Sequence, residues 1–515
     1  MEAGHRTTVM ERAHQALQDE FLRKAVRFTT ARLKNNKLRA ADELGRWEDW
    51  REQGRRIRAH TVAHLDYYLK QFADNVRARG GHVHFAADAA EASEVVTRIV
   101  REKQARRIVK SKSMVSEEVH INRHLEALGA EVVETDLGEY IIQLAGEAPS
   151  HIIAPAIHKN REQIRDLFTK AGGENLGTDT PSLAGFARRQ LREKFLQADV
   201  GITGCNFGIA ESGTVVLFTN EGNGRMVTTL PPVHIVMMGM ERLLPTFADL
   251  EVMANLLPRA GTGQKLTAYM SMITGPRRPD ELDGPEELHV VILDNNRSSQ
   301  LGDPDFQEVL HCIRCGACLN VCPVYRQIGG HAYGSVYSGP IGAVLTPLLN
   351  QGPEYADLPY ASSLCGACYE ACPVKIPLHD MLVRLRQRNV REGRVKSAER
   401  MAFRGFRQVF ASPGRYRFVL RVARTAQRPL VRQGYIESTF GPLFGWTHSR
   451  HAPALDPAPF RDRWKRLSSE LAERAAEARS ERTAVTGRPD DDLHQGRASN
   501  DAPRQDGVKG GDERE

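Results

Sequence analysis

Apolar positions over residues 9–75 recur at helical intervals. Leu17, Phe21, Leu22, Val26 and Phe28 are followed by Arg-rich polar turns, and Val62, Leu65, Tyr68, Leu69 and Phe72 keep similar spacing. From about Gly81 the pattern changes to short apolar runs alternating with amphipathic segments. HVHF (82–85), RRIVKS (106–111) and EVVETD (131–136) read as strands. EASEVVTRIVREK (91–103) and SEEVHINRHLEALG (116–129, closed by Gly129) read as helices. Past a helical middle (161–195), apolar runs return in VGITGCNFGIAESGTVVLFTN (200–220), HIVMMG (234–239) and LHVVILDN (288–295). GNGR (222–225) and 275–279 read as turns. Strands alternating with helices of this length predict βαβ units and a parallel sheet, one α/β domain over 60–297.

The rest of the chain divides around it. Residues 1–59 form an N-terminal helical segment, 298–395 a mainly helical cysteine-rich domain, and 396–470 an Arg-rich helical extension. SSELAERAAEARSER (468–482) reads as a helix with few apolar residues. The tail within 471–515, and above all from about 484, is too poor in aliphatics to build a core and is expected to be largely disordered.

A chain of 515 residues with 41% hydrophobic and 26% charged residues reads as an ordinary globular protein of several domains. No apolar run approaches the roughly 18–20 residues needed to span a bilayer. The N-terminus has no secretory h-region, so a cytoplasmic location is expected. The formal charge of +7 is unevenly placed: 381–432 holds 15 Arg and Lys against Glu392 and Glu399 alone. That stretch reads as a solvated or partner-facing helical surface, with an acidic partner or an anionic membrane face as its counterpart. Its aromatics (Phe403, Phe406, Phe410, Tyr416, Phe418) fit the packed face of a helix, so nucleic acid is not expected.

Seven of the eight cysteines lie between Cys312 and Cys372. CGACLNVCPV (315–324) and CGACYEACPV (365–374) agree at seven of ten positions at an offset of 50, an internal repeat. Cysteines at C-x2-C-x2-C, then a fourth after three residues and a proline, follow the bacterial ferredoxin run, whose fourth cysteine serves the other cluster. The pattern assigns Cys312, Cys315, Cys318 and Cys372 to a first cluster, and Cys322, Cys365 and Cys368 to a second. Ser362 stands where the first loop has Cys312. The second site therefore takes a non-cysteine ligand (the Ser362 hydroxyl, water or substrate) or holds a three-iron cluster. Structural zinc is the bland alternative; the triple run and both Cys-Pro endings favour iron–sulfur. His311 and His331 read as surface or loop residues, and Cys205 as a buried structural thiol.

Two polar constellations mark strand ends in the α/β domain. Lys110, Ser111, Lys112 and Ser113 precede a helix and suit an anion. Gly204, Asn206, Glu211, Ser212, Gly213, Thr214, Asn220, Glu221, Gly222 and Asn223 flank TVVLFT and suggest a ligand pocket. No GxGxxG in the right context and no P-loop pattern occurs.

These stretches carry a family resemblance. GITGCNFGIAESGTVVLFTNEGNGR and PPVHIVMMGMERLLPT (within 201–246) resemble the LUD (lactate utilisation) domain. The order of LUD domain, double cysteine loop and Arg-rich extension resembles the lactate utilisation protein B family over about 15–470. The resemblance implies a sheet related to the sugar-phosphate isomerase and CoA-transferase-like folds, and two [4Fe–4S] clusters. It implies electron transfer during oxidation of L-lactate to pyruvate, with an A component rich in cysteine motifs and a smaller LUD protein, the C component, as partners. Two rivals stand beside that role. The chain itself is the 2-hydroxy acid oxidoreductase, with Lys110 or Arg225 pairing the substrate carboxylate; or it is a redox-sensing interaction module.

Overall fold

The continuous apolar runs VHIVMMG and ELHVVIL become two neighbouring inner strands of a sheet and are almost wholly buried, as parallel strands under helices must be. In chain order the strands are β1 (His82–Ala86), β2 (Arg107–Lys110), β3 (Glu131–Glu134), β4 (Val200–Thr203), β5 (Phe207–Ile209), β6 (Thr214–Thr219), β7 (Val233–Gly239), β8 (Leu243–Leu244), β9 (Tyr269–Ile273) and β10 (Glu287–Leu293). Six of them form a parallel sheet in the order β1-β10-β7-β4-β2-β3. The rest of 200–220 departs from the single-sheet expectation. β5 and β6 turn back on each other and join β8 and β9 in a separate mixed sheet, ordered β8-β5-β6-β9.

This is a computed structural model, and it describes residues 7–395, 397–437, 444–447 and 449–486. The chain divides into two compact units, Met1–Val395 and Lys396–Glu515.

Helical periodicity over 9–75 resolves into α1 (Val9–Gln18), α2 (Glu20–Leu44), α3 (Trp47–Ala63) and α4 (Leu65–Ala78). Thr8 and Asp19 cap the first two through side-chain oxygens that accept the Glu11 and Leu22 amides. α5 (Ala89–Glu102) buries Ala92, Val95, Val96, Ile99 and Val100 against the sheet. The helix expected over 116–129 is instead two, α6 (Met114–Glu118) and α7 (Ile121–Glu126). His120, at φ +52, breaks the ladder between them. The apolar pattern predicts no helix where α8 (Leu137–Ala145) forms. The helical middle is α9 (Arg161–Lys170) and α10 (Thr180–Leu196). GNGR is no turn: Gly222 caps α11 (Asn223–Thr229), and α12 (Phe247–Gly261) follows β8.

The cysteine-rich segment docks on this body through the largest core. Val26, Phe207, Val216, Leu244 and Met253 share it with Leu319, Tyr325, Val344 and Leu382. Arg58 of α3 ties the parts together. Fully buried, it donates to Leu243 O (2.6 Å), Leu310 O (3.0 Å), His311 O (3.3 Å) and Glu241 O.

In the second unit, helices Ser397–Phe410 and Pro413–Gln427 bury no residue. Phe403, Phe406, Phe410 and Phe418, expected on a packed face, are exposed, with Phe406 stacked on Phe410 at 4.1 Å. A small antiparallel sheet (Val431–Arg432, Tyr435–Ile436, Ala452–Pro453) and the helix Phe460–Thr486 follow. The expected disorder beyond it, 487–515, lies outside the described residues. No helix among the described residues is long and apolar enough to cross a membrane.

Arg58→Leu leaves those carbonyls without their donor, so we expect a loss of about 3 kcal/mol in unfolding free energy. The urea midpoint under anaerobic conditions measures it; an unchanged midpoint would contradict the bridging role.

Candidate metal centre

The repeat seen in the sequence is reproduced in backbone geometry. Arg314 (φ +59) and Leu364 (φ +55) occupy equivalent left-handed positions, followed by Gly316 (φ +73) and Gly366 (φ +78). Each glycine caps a five-residue helix, Ala317–Val321 or Ala367–Ala371, that ends on the last cysteine of its loop in extended conformation. Cys322 and Cys372 are thereby carried off the end of their own loop. Their sulfurs accept the amides of Tyr325 (3.5 Å) and Ile376 (3.4 Å). Ser362 keeps the register of Cys312. Cys312 Sγ accepts the Arg314 amide at 3.4 Å, and Ser362 Oγ accepts the Leu364 amide at 3.1 Å.

The thiols fall into two electrostatic neighbourhoods, and all eight cysteines are free of disulfides. Burial pushes Cys315 up to about 12, and Cys372 and Cys312 push the same way. Burial raises Cys318 further, with Cys312, Cys315, Cys368 and Cys372 adding to it. Cys368 is also pushed up to about 12, by burial and then by Cys322 and Cys365. One neighbourhood thus joins Cys312, Cys315, Cys318 and Cys372, and the other Cys322, Cys365 and Cys368. Cys318 and Cys368 are buried in the same core. Cys365 alone is exposed; the Ala367 amide and the Ser363 hydroxyl lower its thiol. Tyr333, fully buried, lies beside Cys322, a neighbour that no spacing rule announces, and its hydroxyl has no hydrogen-bond partner among the described residues.

Cations from distant segments surround the first set. Lys37 of α2 is buried and donates to Ala371 O at 2.6 Å; burial lowers its affinity for a proton, and Cys315, Cys372 and Cys318 counter that. Arg51 of α3 donates to Cys372 O (2.9 Å) and Tyr369 O (2.8 Å), and Arg242 to Cys312 O (2.8 Å). Neither Lys37 nor Arg242 forms an ion pair with a carboxylate among the described residues. A buried charge without a counter-charge is costly, and a cluster with four thiolate ligands, negative overall, supplies one. The donor set and its cationic surround fit iron–sulfur.

His311 is buried, contrary to a surface role, whereas His331 is exposed and bonds Ala148 O at 2.7 Å beside His158. Lys110 is fully buried and paired with Glu117 (2.5 Å) and Glu134 (2.7 Å), so it cannot hold a ligand. Arg225 is exposed on α11. Of the pocket constellation, Gly204, Asn206, Asn220 and Glu221 line a cavity of about 280 Å³, as does Cys205. Glu211 instead accepts the Phe247 amide, and Ser212 and Thr214 form a hydroxyl chain with Thr274. Lys112, Arg242, Arg314 and Cys315 complete the cavity wall; among these the sequence singled out Lys112 and Cys315, but neither arginine.

Three family models match successive stretches: the LUD domain over 69–293, the 4Fe-4S dicluster domain over 308–376, and the C-terminal region of lactate utilisation protein B over 384–468. A parallel α/β LUD domain joined to this cysteine domain defines an iron–sulfur protein, and it carries two [4Fe–4S] clusters. Proteins named lactate utilization protein B are similar throughout. That of Geobacillus thermodenitrificans is 55% identical over 88% of this chain and 95% of its own length. That of Oceanobacillus iheyensis is 53% identical over the same shares, and that of Anoxybacillus flavithermus 53% over 89% and 98%. The chain belongs to the lactate utilisation protein B family and is a lactate-utilisation iron–sulfur protein. A crystal structure of a DUF162 family protein from Deinococcus radiodurans aligns over 44% of this chain and 98% of its own at 16% identity. Its TM-score of 0.24 is too low to bear on the fold.

Glu139 supplies a pH test of the polar wall behind the cavity. Burial raises its carboxyl to about 7 from 4.5, against the pull of Lys112 at 3.2 Å. The folded chain therefore holds this proton more tightly than the unfolded one. That contribution is complete below about pH 4.5 and is lost as pH rises through 7. Glu139→Gln should gain about 1–3 kcal/mol relative to the parent between about pH 5 and pH 8. Parallel urea titrations at the two pH values measure it, and a constant difference would refute it.

Proposed function

We propose that this chain is the electron-transfer subunit of a cytoplasmic complex that oxidises L-lactate to pyruvate, with the A and C components of the lactate utilisation system as partners. One observation carries the reading: the two cysteine loops share one core, with Cys318, Cys322, Cys368 and Cys372 all buried in it, while Cys365 is exposed. Two neighbouring centres, one with a ligand at the surface, suit relay of electrons from an inner site to a partner. In this reading Cys312, Cys315, Cys318 and Cys372 hold the first cluster. Cys322, Cys365 and Cys368 hold the second, with Ser362 at the missing fourth position. The equivalent amide contacts of Cys312 Sγ and Ser362 Oγ support that register. The basic 381–432 stretch is proposed as contact surface for an acidic partner or membrane face.

The ligand assignment is tested by substitution. Cys372→Ala should remove the first cluster and Cys322→Ala the second, each seen as about half the iron and sulfide lost and one reduced EPR signal gone. Loss of the opposite signals would overturn the crossover. The role is tested with L-lactate under anaerobic conditions. The isolated protein should stay oxidised, and its visible absorption should bleach once A and C are added. Bleaching by the isolated chain would move the oxidation step here.

A further inference from the structure

The parallel sheet reverses its winding between β2 and β4. From β2 the chain moves outward to β3, whereas the strand of this sheet after β4 is β7, on the other side. Open parallel sheets bind ligands beyond the carboxyl ends of strands at such a switch point. The loops leaving β2 and β4 face each other there: a Cβ on Gly204 would lie 3.2 Å from Ser113 Cβ. The cavity of about 280 Å³ opens at this place, and the first cysteine loop closes it with Arg314 and Cys315.

We propose that this cavity binds a short-chain 2-hydroxy or 2-oxo acid, its carboxylate held by the Arg314 guanidinium beside the first cluster. The proposal rests on the lactate reading above and adds the place and the residues. Arg314 is buried. Nη2 bonds Glu241 Oε1 at 3.2 Å, and Nη1 has no hydrogen-bond partner among the described residues. The loop itself does not require a guanidinium, because the second copy makes the same backbone turn with exposed Leu364.

Lys112 adds a second cation to the wall. Its ammonium lies 3.2 Å from Glu139 but makes no aligned hydrogen bond. The same wall holds Asp136, Glu221 and Glu241 against Lys112, Arg242 and Arg314. That balance suits a monoanion and repels a polyphosphate. Met114, Ile153 and Leu257 give a short carbon chain an apolar surface. A ligand seated here touches Cys315, a member of the first thiol set.

The test uses the full chain with both clusters reconstituted anaerobically, and pyruvate, L-lactate and inorganic phosphate as probes in calorimetric titration. Pyruvate and L-lactate should bind saturably, one per chain, and pyruvate should alter the EPR spectrum of the reduced first cluster. Phosphate should neither bind nor compete. Arg314→Lys keeps the charge but loses the planar fork, and should weaken both acids by roughly tenfold or more. Arg225→Ala, outside the cavity, should leave binding unchanged. If Arg314→Lys loses iron, Leu257→Trp takes its place, narrowing the cavity without altering the cysteine loop, and should abolish pyruvate binding. No saturable binding, equal binding of phosphate, or unaltered affinity in an iron-replete Arg314→Lys would overturn the proposal. Partner-dependent cluster reduction without acid binding would sink the cavity assignment and spare the electron-transfer role. Acid binding without such reduction would do the reverse.

Discussion

The structure depends on matching buried positive charge to a cluster of thiolates. Lys37 and Arg51 come from the N-terminal helices, Arg242 from the loop after β7, and Arg314 from the cysteine loop itself. Each is taken out of water, which is tolerable only beside negative charge. Carbonyls of the cysteine loops accept several of their hydrogen bonds and fix the loops in place. Glu48 and Glu241 supply part of that negative charge to Arg51 and Arg314, and the cysteine thiolates supply the rest. N-terminal helices, α/β domain and cysteine segment therefore meet at one point for an electrostatic reason, and the shared apolar core packs round that point.

The same arrangement makes the two halves of an internal repeat unequal. Equivalent glycines and equivalent left-handed residues show that the loop backbone is copied faithfully. Its surroundings are not. The first copy lies against Arg242 and the cavity wall, while the second leaves Cys365 and Leu364 exposed. Reduction potentials respond to charge, hydrogen bonds to sulfur and exposure. Two similar loops in dissimilar surroundings therefore offer their clusters different charge, hydrogen bonding and exposure.

The carboxyl edge of the parallel sheet adds the third element. Loops after β2, β3, β4 and β7 converge there, and in this chain the cysteine segment supplies the remaining wall. Arg297 stiffens the junction. Fully buried, it pairs with Glu118 of α6 and with Glu241 after β7, both at 2.8 Å. Glu118 in turn accepts the Tyr337 hydroxyl from the cysteine-rich segment. Ligand pocket and metal loops are thus coupled by a short chain of buried ion pairs and hydrogen bonds.

Local sequence determined what depends on local physics. Apolar runs and periodicity identified the strands of the parallel sheet, because its inner strands are buried and need continuous hydrophobic stretches and helices need an apolar stripe. Cysteine spacing identified the metal chemistry, since three thiolates must wrap one cluster within a short loop. Other features were decided by tertiary structure alone. β5 and β6 left the expected sheet because their edges found β8 and β9. Lys110 looked free for an anion, yet folding placed it between Glu117 and Glu134 in the interior. Arg242 and Arg314 were unremarkable in sequence and became cavity wall, because no local signal reports which loop a guanidinium will meet. Tyr333 met Cys322 for the same reason. A cation's partner is chosen by long-range packing, and along the chain it leaves no periodicity to read.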